Sequence, residues 1–261
     1  MPRYFIEVFY KGTNYSGFQI QQNANSIQAE VTKALKIFFK KDFELTGSSR
    51  TDAGVHALQN FFHFNVENNS QQLESTKVSP MGRDLDGAVY NLNALLPNDI
   101  VIKKIFVVKD DAHCRFDAVS REYKYFIYQQ KDPFQQDTAF YFPYKFNLDK
   151  LNEAAQQITG YEDFTSFSKK NTQVNNFICK IERSEWCIEN NKLVYNVVAN
   201  RFLRGMVKGL VGTMLRVGTN KISVKDFSKI IDNKDCANVD FSPPSQGLFL
   251  MSVNFNPDIF I

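Results

Sequence analysis

Between Gly47 and Ala57 the chain reads Gly-Ser-Ser-Arg-Thr-Asp-Ala-Gly-Val-His-Ala, bringing a guanidinium, a carboxylate and an imidazole together between two glycines. A carboxylate such as Asp52 can act as a nucleophile or take a proton, and a cation two residues away, Arg50, can favour its charged form. Gly54 permits a positive φ or the close approach of a ligand that a Cβ would hinder. The same residues also suit a plain hydrogen-bonded turn in which Thr51 and Asp52 satisfy local amides. His56, four residues after Asp52, could meet it and serve a hydrolase, although no Ser or Cys nucleophile stands beside a base in a recognisable pattern.

Two further groups of residues carry chemistry. Arg121, Tyr123 and Tyr125 alternate with Glu122, Lys124 and Phe126, so that the first three share one face of a strand. A tyrosine beside an arginine offers a stacking surface to an unstacked base, and equally fits two ordinary half-buried strand tyrosines. Arg204 and Lys208 are four apart, a spacing that puts them on one helix face. With Arg201, Arg216, Lys221 and Lys225 they form the densest basic stretch, suited to phosphate or to a solvated helix face.

Other chemistries find no support in the sequence. The cysteines, Cys114, Cys179, Cys187 and Cys236, form no Cys-x-x-Cys pair, and His113–Cys114 has no partner cluster at metal spacing, so reduced thiols are expected. No Gly-x-Gly-x-x-Gly or P-loop indicates a nucleotide, and no cofactor is expected. Lys and Arg outnumber Asp and Glu by only 31 to 28, so a nucleic-acid partner requires the cations to be clustered. The start, Met-Pro-Arg-Tyr-Phe-Ile-Glu, enters a strand pattern without a signal peptide. No apolar run reaches membrane-spanning length, and a cytoplasmic protein is expected.

The elements that must position these groups follow from periodicity. Tyr4 to Phe9 reads as a strand buried on both faces. Asn25 or Ser26 caps a helix with Ile27, Val31, Leu35 and Phe38 on its apolar side. Phe43 and Leu45 before the Asp52 loop, and Phe61 to Val66 after it, make the loop a strand-to-strand connection. The polar run Val66–Arg83 reads as a loop, Ala88–Leu95 as a helix and Ile100–Val108 as a strand. Beyond them come a strand at Arg121–Gln129, a Pro-containing connection over Asp132–Phe146 and a helix at Leu148–Ile158. Strands follow at Ile178–Ser184, Glu185–Glu189 and Lys192–Ala199, with Asn190-Asn191 as a hairpin turn. A helix at Phe202–Val217 has Gly205, Gly209 and Gly212 for close packing against a strand. Ser223 and Asp226 form a capping box, and a last strand covers Gly247–Val253. Alternating strands and helices with hairpins, and no long parallel series, indicate an α+β fold with mainly antiparallel sheet. The acidic break after Lys109 divides the chain into 1–109, carrying the Asp52 loop, and 110–261, carrying Tyr123 and the basic helix.

The Gly47–Ala57 run, Gly-x-x-Arg-Thr-Asp-Ala-Gly-Val-His-Ala, resembles the signature of the TruA-type tRNA pseudouridine synthases. The resemblance extends over nearly the whole chain: Tyr10–Gln21, Leu92–Ile100, Arg115–Ala118 with Arg121–Tyr125, Asp163–Phe167, Ala199–Lys208 and Gly247–Leu250 match in order. It implies two ferredoxin-like halves with their sheets joined side by side and the active cleft between them. It also implies isomerisation of uridine to pseudouridine in the tRNA anticodon stem–loop, at positions 38 to 40, without metal or cofactor, by a homodimer. On this resemblance Asp52 is the catalytic carboxylate and Arg50 its motif partner. Tyr123 belongs to the active site, and Arg121 and Arg204 join the substrate-binding set. Lys208 stands where the family has an arginine that pairs with the carboxylate, keeping the charge but losing the bidentate fork. Lys11, Phe18, Ser48 and Ser49 also depart from the family pattern. Whether Asp52 attacks C1′, adds to C6 or deprotonates the sugar stays open. A non-catalytic RNA-binding module of the same fold is the other rival reading.

Overall fold

A computed structural model describes residues 1–66, 85–170, 174 and 176–261. The loop expected over Val66–Arg83 lies, Val66 apart, outside the described residues. The chain forms two compact units, Met1–Val119 with Ser252–Ile261, and Ser120–Met251. Lys109 and Asp110, where the sequence pattern breaks, lie in the first.

The first unit runs β1 (Arg3–Tyr10), α1 (Ile27–Phe39), β2 (Thr46–Gly47), β3 (His56–Asn65), α2 (Leu85–Leu95) and β4 (Ile100–Val108). The strands lie in the order β4-β1-β3, with β2 on β3 and every pair antiparallel. This strand–helix–strand–strand–helix–strand succession is the split βαβ arrangement of ferredoxin-like folds. The Ser26 hydroxyl accepts from the Ala29 N–H at 3.3 Å and starts α1, which buries Ile27, Val31, Ala34 and Leu35. The helix stops at Lys40, whose φ of 54° is left-handed. Phe5, Ile6, Val8, Phe62 and Phe64, almost fully buried, make the core on both sheet faces. Upstream of the Asp52 loop the expected strand shrinks to the two residues of β2; Phe43 and Leu45 are buried but pair with no strand.

The second unit runs β5 (Ala118–Tyr128, whose first two residues belong to the first unit), β6 (Phe140–Tyr141), α3 (Leu148–Gln157), β7 (Ile181–Glu189), β8 (Lys192–Ala199), α4 (Met206–Gly218), α5 (Val224–Asp232) and β9 (Leu248–Phe255). Residues 248–251 of β9 belong to this unit and 252–255 to the first. Its strand order β9-β5-β8-β7 repeats the ferredoxin-like pattern, and β6 pairs parallel to β5 within the Pro-containing connection. Ile181–Glu189 is one strand rather than two. Asn190 and Asn191 take φ of 50° and 61°, the pair of left-handed residues that a tight hairpin needs. The Ser223–Asp226 capping box opens α5 as its sequence indicates.

The basic helix starts later than its pattern predicts. Gly205, at φ +75°, breaks the helical run, so α4 begins at Met206 and Arg204 lies in the turn before it. Arg204 and Lys208 therefore do not share a helix face. Gly209 and Gly212 pack against the segment 239–243 rather than a strand: a Cβ on Gly212 would lie 2.2 Å from the Asp240 carbonyl oxygen.

Candidate active site

The Asp52 loop is fixed from below by the segment that follows β1. Gly12 passes so close that a Cβ there would lie 2.0 Å from the Val55 carbonyl oxygen. Its N–H donates to Nδ1 of His56 at 3.1 Å, the Phe18 N–H to the Thr51 carbonyl at 3.1 Å, and Gly54 N–H to the Tyr15 carbonyl at 3.3 Å. Within the loop the Val55 N–H closes a turn onto the Asp52 carbonyl at 3.2 Å, and Gly54 sits at φ +77°. The Tyr10–Gln21 stretch is thus the floor on which the loop is built.

Side chains hold the loop from within the sheet. Asn60, on β3, is fully buried; its amide donates to the Tyr10 hydroxyl and to the Ser49 carbonyl, both at 3.2 Å. Its oxygen accepts from the Ser48 hydroxyl at 2.7 Å. The Tyr10 hydroxyl also shares a hydrogen bond with Thr51 Oγ1, 2.8 Å away. Burial raises the Tyr10 pKa, which keeps the phenol protonated. Beneath the loop Phe18 stacks on Phe62 with centroids 4.4 Å apart and planes 8° apart. Asp99, before β4, accepts the Tyr15 hydroxyl at 2.5 Å and the Asn14 amide at 3.2 Å, steadying the floor from its outer side.

This lattice leaves Asp52 half-buried and Arg50 and Ala53 exposed at the loop's crest, while Thr51, Val55 and His56 face inward. His56 is 1% exposed and uses Nδ1 as acceptor for Gly12, so it positions the backbone; it does not serve as the general base of a hydrolase. Nothing in the side-chain types of Asn60 or Asp99 marks them as loop supports. The signal lies in position instead: Asn60 directly precedes the aromatic run Phe61-Phe62, and an amide buried there must find partners.

The remaining expected site residues lie in the second unit. Arg121 and Tyr123 are both buried on the same face of β5, as their alternation indicates. Arg121 Nη1 donates to the Asn200 carbonyl at 2.7 Å and fixes the turn leading to Arg204. The Tyr123 ring meets Phe202 edge-on at 5.0 Å, so Arg121, Tyr123 and Phe202 form one group. Tyr125, further along that face, donates its hydroxyl to the Pro244 carbonyl at 2.7 Å and orders the segment before β9. Lys208, half-buried on α4, donates to the Ser245 hydroxyl at 3.3 Å. Arg204 is exposed; Arg216 instead donates to the Asn238 carbonyl at 2.9 Å. Among the described residues no group of His, Cys, Asp and Glu is arranged to hold a metal ion. Among the same residues no helix is long and apolar enough to cross a membrane.

Comparison with known proteins shows the family. The family model for tRNA pseudouridine synthase matches residues 8–117 and 154–256. A tRNA pseudouridine synthase A from Bacteroides fragilis is 44% identical over the whole chain, which covers 99% of that protein. The protein of the same name from Porphyromonas gingivalis is 39% identical over all of both chains. One from Staphylococcus aureus is 37% identical over 96% of this chain and 91% of its own length. With matches of this extent, running through both the Asp52 loop and the segment that braces it, the chain belongs to the tRNA pseudouridine synthase family.

Proposed function

We propose that the protein isomerises uridine to pseudouridine in the anticodon stem–loop of tRNA, at positions 38 to 40, with Asp52 as the catalytic carboxylate. The observation that carries this is the half-buried Asp52 on a loop pinned by backbone and side-chain bonds, in a chain of this family. The reaction breaks C1′–N1 and forms C1′–C5; the proton lost from C5 is balanced by the one gained at N1. No electrons are exchanged and no group is added. A carboxylate held at a fixed position can supply both a nucleophile and a proton acceptor for these steps. The target uridine must first be unstacked, at a cost of about a few kcal/mol, which binding to the rest of the tRNA offsets.

In this reading the halves divide the labour. The first carries Asp52 and Arg50; the second carries the tRNA-binding Tyr123, Lys208 and Arg204, with Arg121 ordering the turn beside them. The protein works in the cytoplasm as a homodimer. The first reading rests on cysteines that form no motif pair and on apolar runs too short to span a membrane, the second on the family resemblance; light scattering returning a single-subunit mass at micromolar concentration would refute the dimer. Incubation with an unmodified tRNA transcript, followed by mapping of pseudouridine, tests the function. Product at positions 38 to 40 is expected, and a transcript left without pseudouridine would overturn the assignment.

A further inference from the structure

Outside the loop itself, the most unusual surface of the first unit is the turn His113–Asp117. Phe116 is 73% exposed, yet the turn beneath it is built like a core element. Its ring packs on His113 with centroids 4.3 Å apart, and the Arg115 guanidinium lies over it at 5.7 Å. His113 Nδ1 accepts from the N–H groups of both Arg115 and Phe116, at 3.1 and 3.3 Å. Asp117 closes the turn by accepting the His113 N–H at 2.7 Å. Below, the His113 ring meets His63 at 4.6 Å; His63 is buried, and its Nδ1 accepts from the Cys114 N–H at 3.3 Å. The Ala112 carbonyl accepts from Arg3 at 2.7 Å. An exposed phenylalanine on a turn fixed this thoroughly loses little further freedom when something stacks on it.

Phe116 and Arg115 line a cleft of about 840 Å³ that also takes in Arg50, two residues before Asp52. Ile20, half-exposed, adds a second apolar surface to the cleft. Glu44 and Asp42 also line it; Asp42 is held by Lys36 at 2.8 Å, while Glu44 is exposed and can accept from the amino edge of a base. Two guanidinium groups, one exposed aromatic face and one exposed carboxylate suit an unstacked nucleotide, which offers a π-face, a phosphate and an amino edge to them.

We propose that the His113–Phe116 turn is a stacking platform for an unpaired base of the bound tRNA, with Arg115 at the adjoining phosphate, in the cleft that Arg50 shares with the Asp52 loop. The proposal rests on the tRNA reading above and extends it to a site away from Asp52. The base stacks on Phe116, and the platform contributes to holding the RNA rather than to the isomerisation step.

The test compares wild type, Phe116→Ala and Phe116→Tyr on an unmodified tRNA transcript, measuring Kd against salt, kcat and KM for pseudouridine formation, and subunit mass. Phe116→Ala is expected to weaken binding and raise KM at least fivefold, with kcat within twofold and the salt dependence unchanged, because a stacked ring releases no counterions. Phe116→Tyr keeps the face and should restore both constants. Affinity within twofold of wild type for Phe116→Ala, in an enzyme that makes pseudouridine, would overturn the platform and leave the function standing. A wild type that makes none would overturn the function itself. Loss of affinity accompanied by a change in subunit mass would mean that Phe116 belongs to an interface between copies of the chain, and would likewise refute the platform.

Discussion

The Tyr10 hydroxyl and Thr51 Oγ1 lie 2.8 Å apart in the interior, joining the first strand to the residue immediately before Asp52. Both groups are buried, and the Tyr10 oxygen also receives the Asn60 amide. The position of the carboxylate is therefore set from a buried strand residue, through hydrogen bonds that link Asn60, Tyr10 and Thr51.

Tyr10→Phe removes that link with little change of shape. It leaves Thr51 and Asn60 each short of a buried partner, and an unsatisfied buried polar group costs about 1–3 kcal/mol. Denaturant unfolding should show a stability loss of that order. The kcat should fall more than KM rises, because the loop is displaced while the tRNA-binding cations are untouched. Equal kcat in the two proteins would show that the loop is held without Tyr10.

How legible this arrangement was differs from residue to residue. α1 and the Asn190-Asn191 hairpin follow from local rules, a cap at Ser26 and two left-handed residues, and they form where those rules put them. The Asp52 loop was visible as chemistry, but its supports were not. Tyr10, Asn60 and Asp99 act across sequence separations of 41, 11 and 84 residues, and no local pattern encodes such pairings. Gly12 is a similar case. Its need for a missing Cβ comes from Val55, which the fold brings against it. Spacing puts Arg204 on the helix because it ignores backbone conformation, whereas the left-handed Gly205 interrupts the run. The two-residue β2 is short because buried Phe43 and Leu45 fill space beside the sheet and leave strand pairing to Thr46 and Gly47.

His63 gives the stability of the first unit a dependence on acid. Burial, reinforced by His113 and Arg3, lowers its pKa from 6.5 to about 4. Between those values the unfolded chain binds a proton that the folded chain refuses, so stability rises with pH in this window. The contribution is complete above pH 6.5, is lost progressively as pH falls toward 4, and stops changing once the folded form also protonates. His63→Asn retains an acceptor for the Cys114 N–H and removes the titration. Its unfolding free energy should vary less between pH 6.5 and 4.5 than that of wild type, even if the whole curve lies lower. Parallel curves would assign the acid sensitivity to another group.

The basic stretch separates into residues available to RNA and residues occupied within the fold. Arg204 is exposed in the turn before α4, whereas Arg216 holds the Asn238 carbonyl. Each phosphate contact contributes roughly 0.7–0.9 to the slope of log affinity against log salt. Arg204→Ala should reduce the slope by about one contact without altering stability. Arg216→Ala should lower the melting temperature while leaving the slope nearly unchanged. The opposite pattern would transfer the RNA contact to Arg216.

Asp52→Asn is the most direct test of the proposed chemistry. Asp52 is half-buried on a loop whose backbone is fixed by Gly12, Tyr15 and Phe18, and its own carbonyl already serves the Val55 turn. None of the hydrogen bonds that brace the loop needs the carboxylate charge, so the near-isosteric amide should leave the fold and its melting temperature intact. It removes the one group able to act as an anionic nucleophile or proton acceptor. Pseudouridine formation should drop below detection while tRNA affinity stays within about tenfold of wild type, some 1.4 kcal/mol. Lys208→Arg is the complementary change. The arginine restores the residue type of the family resemblance, can still reach the Ser245 hydroxyl that Lys208 now holds at 3.3 Å, and should keep or raise turnover. Normal turnover by Asp52→Asn would mean that the carboxylate at the crest of this well-braced loop is not the reacting group, and that the bracing serves binding alone.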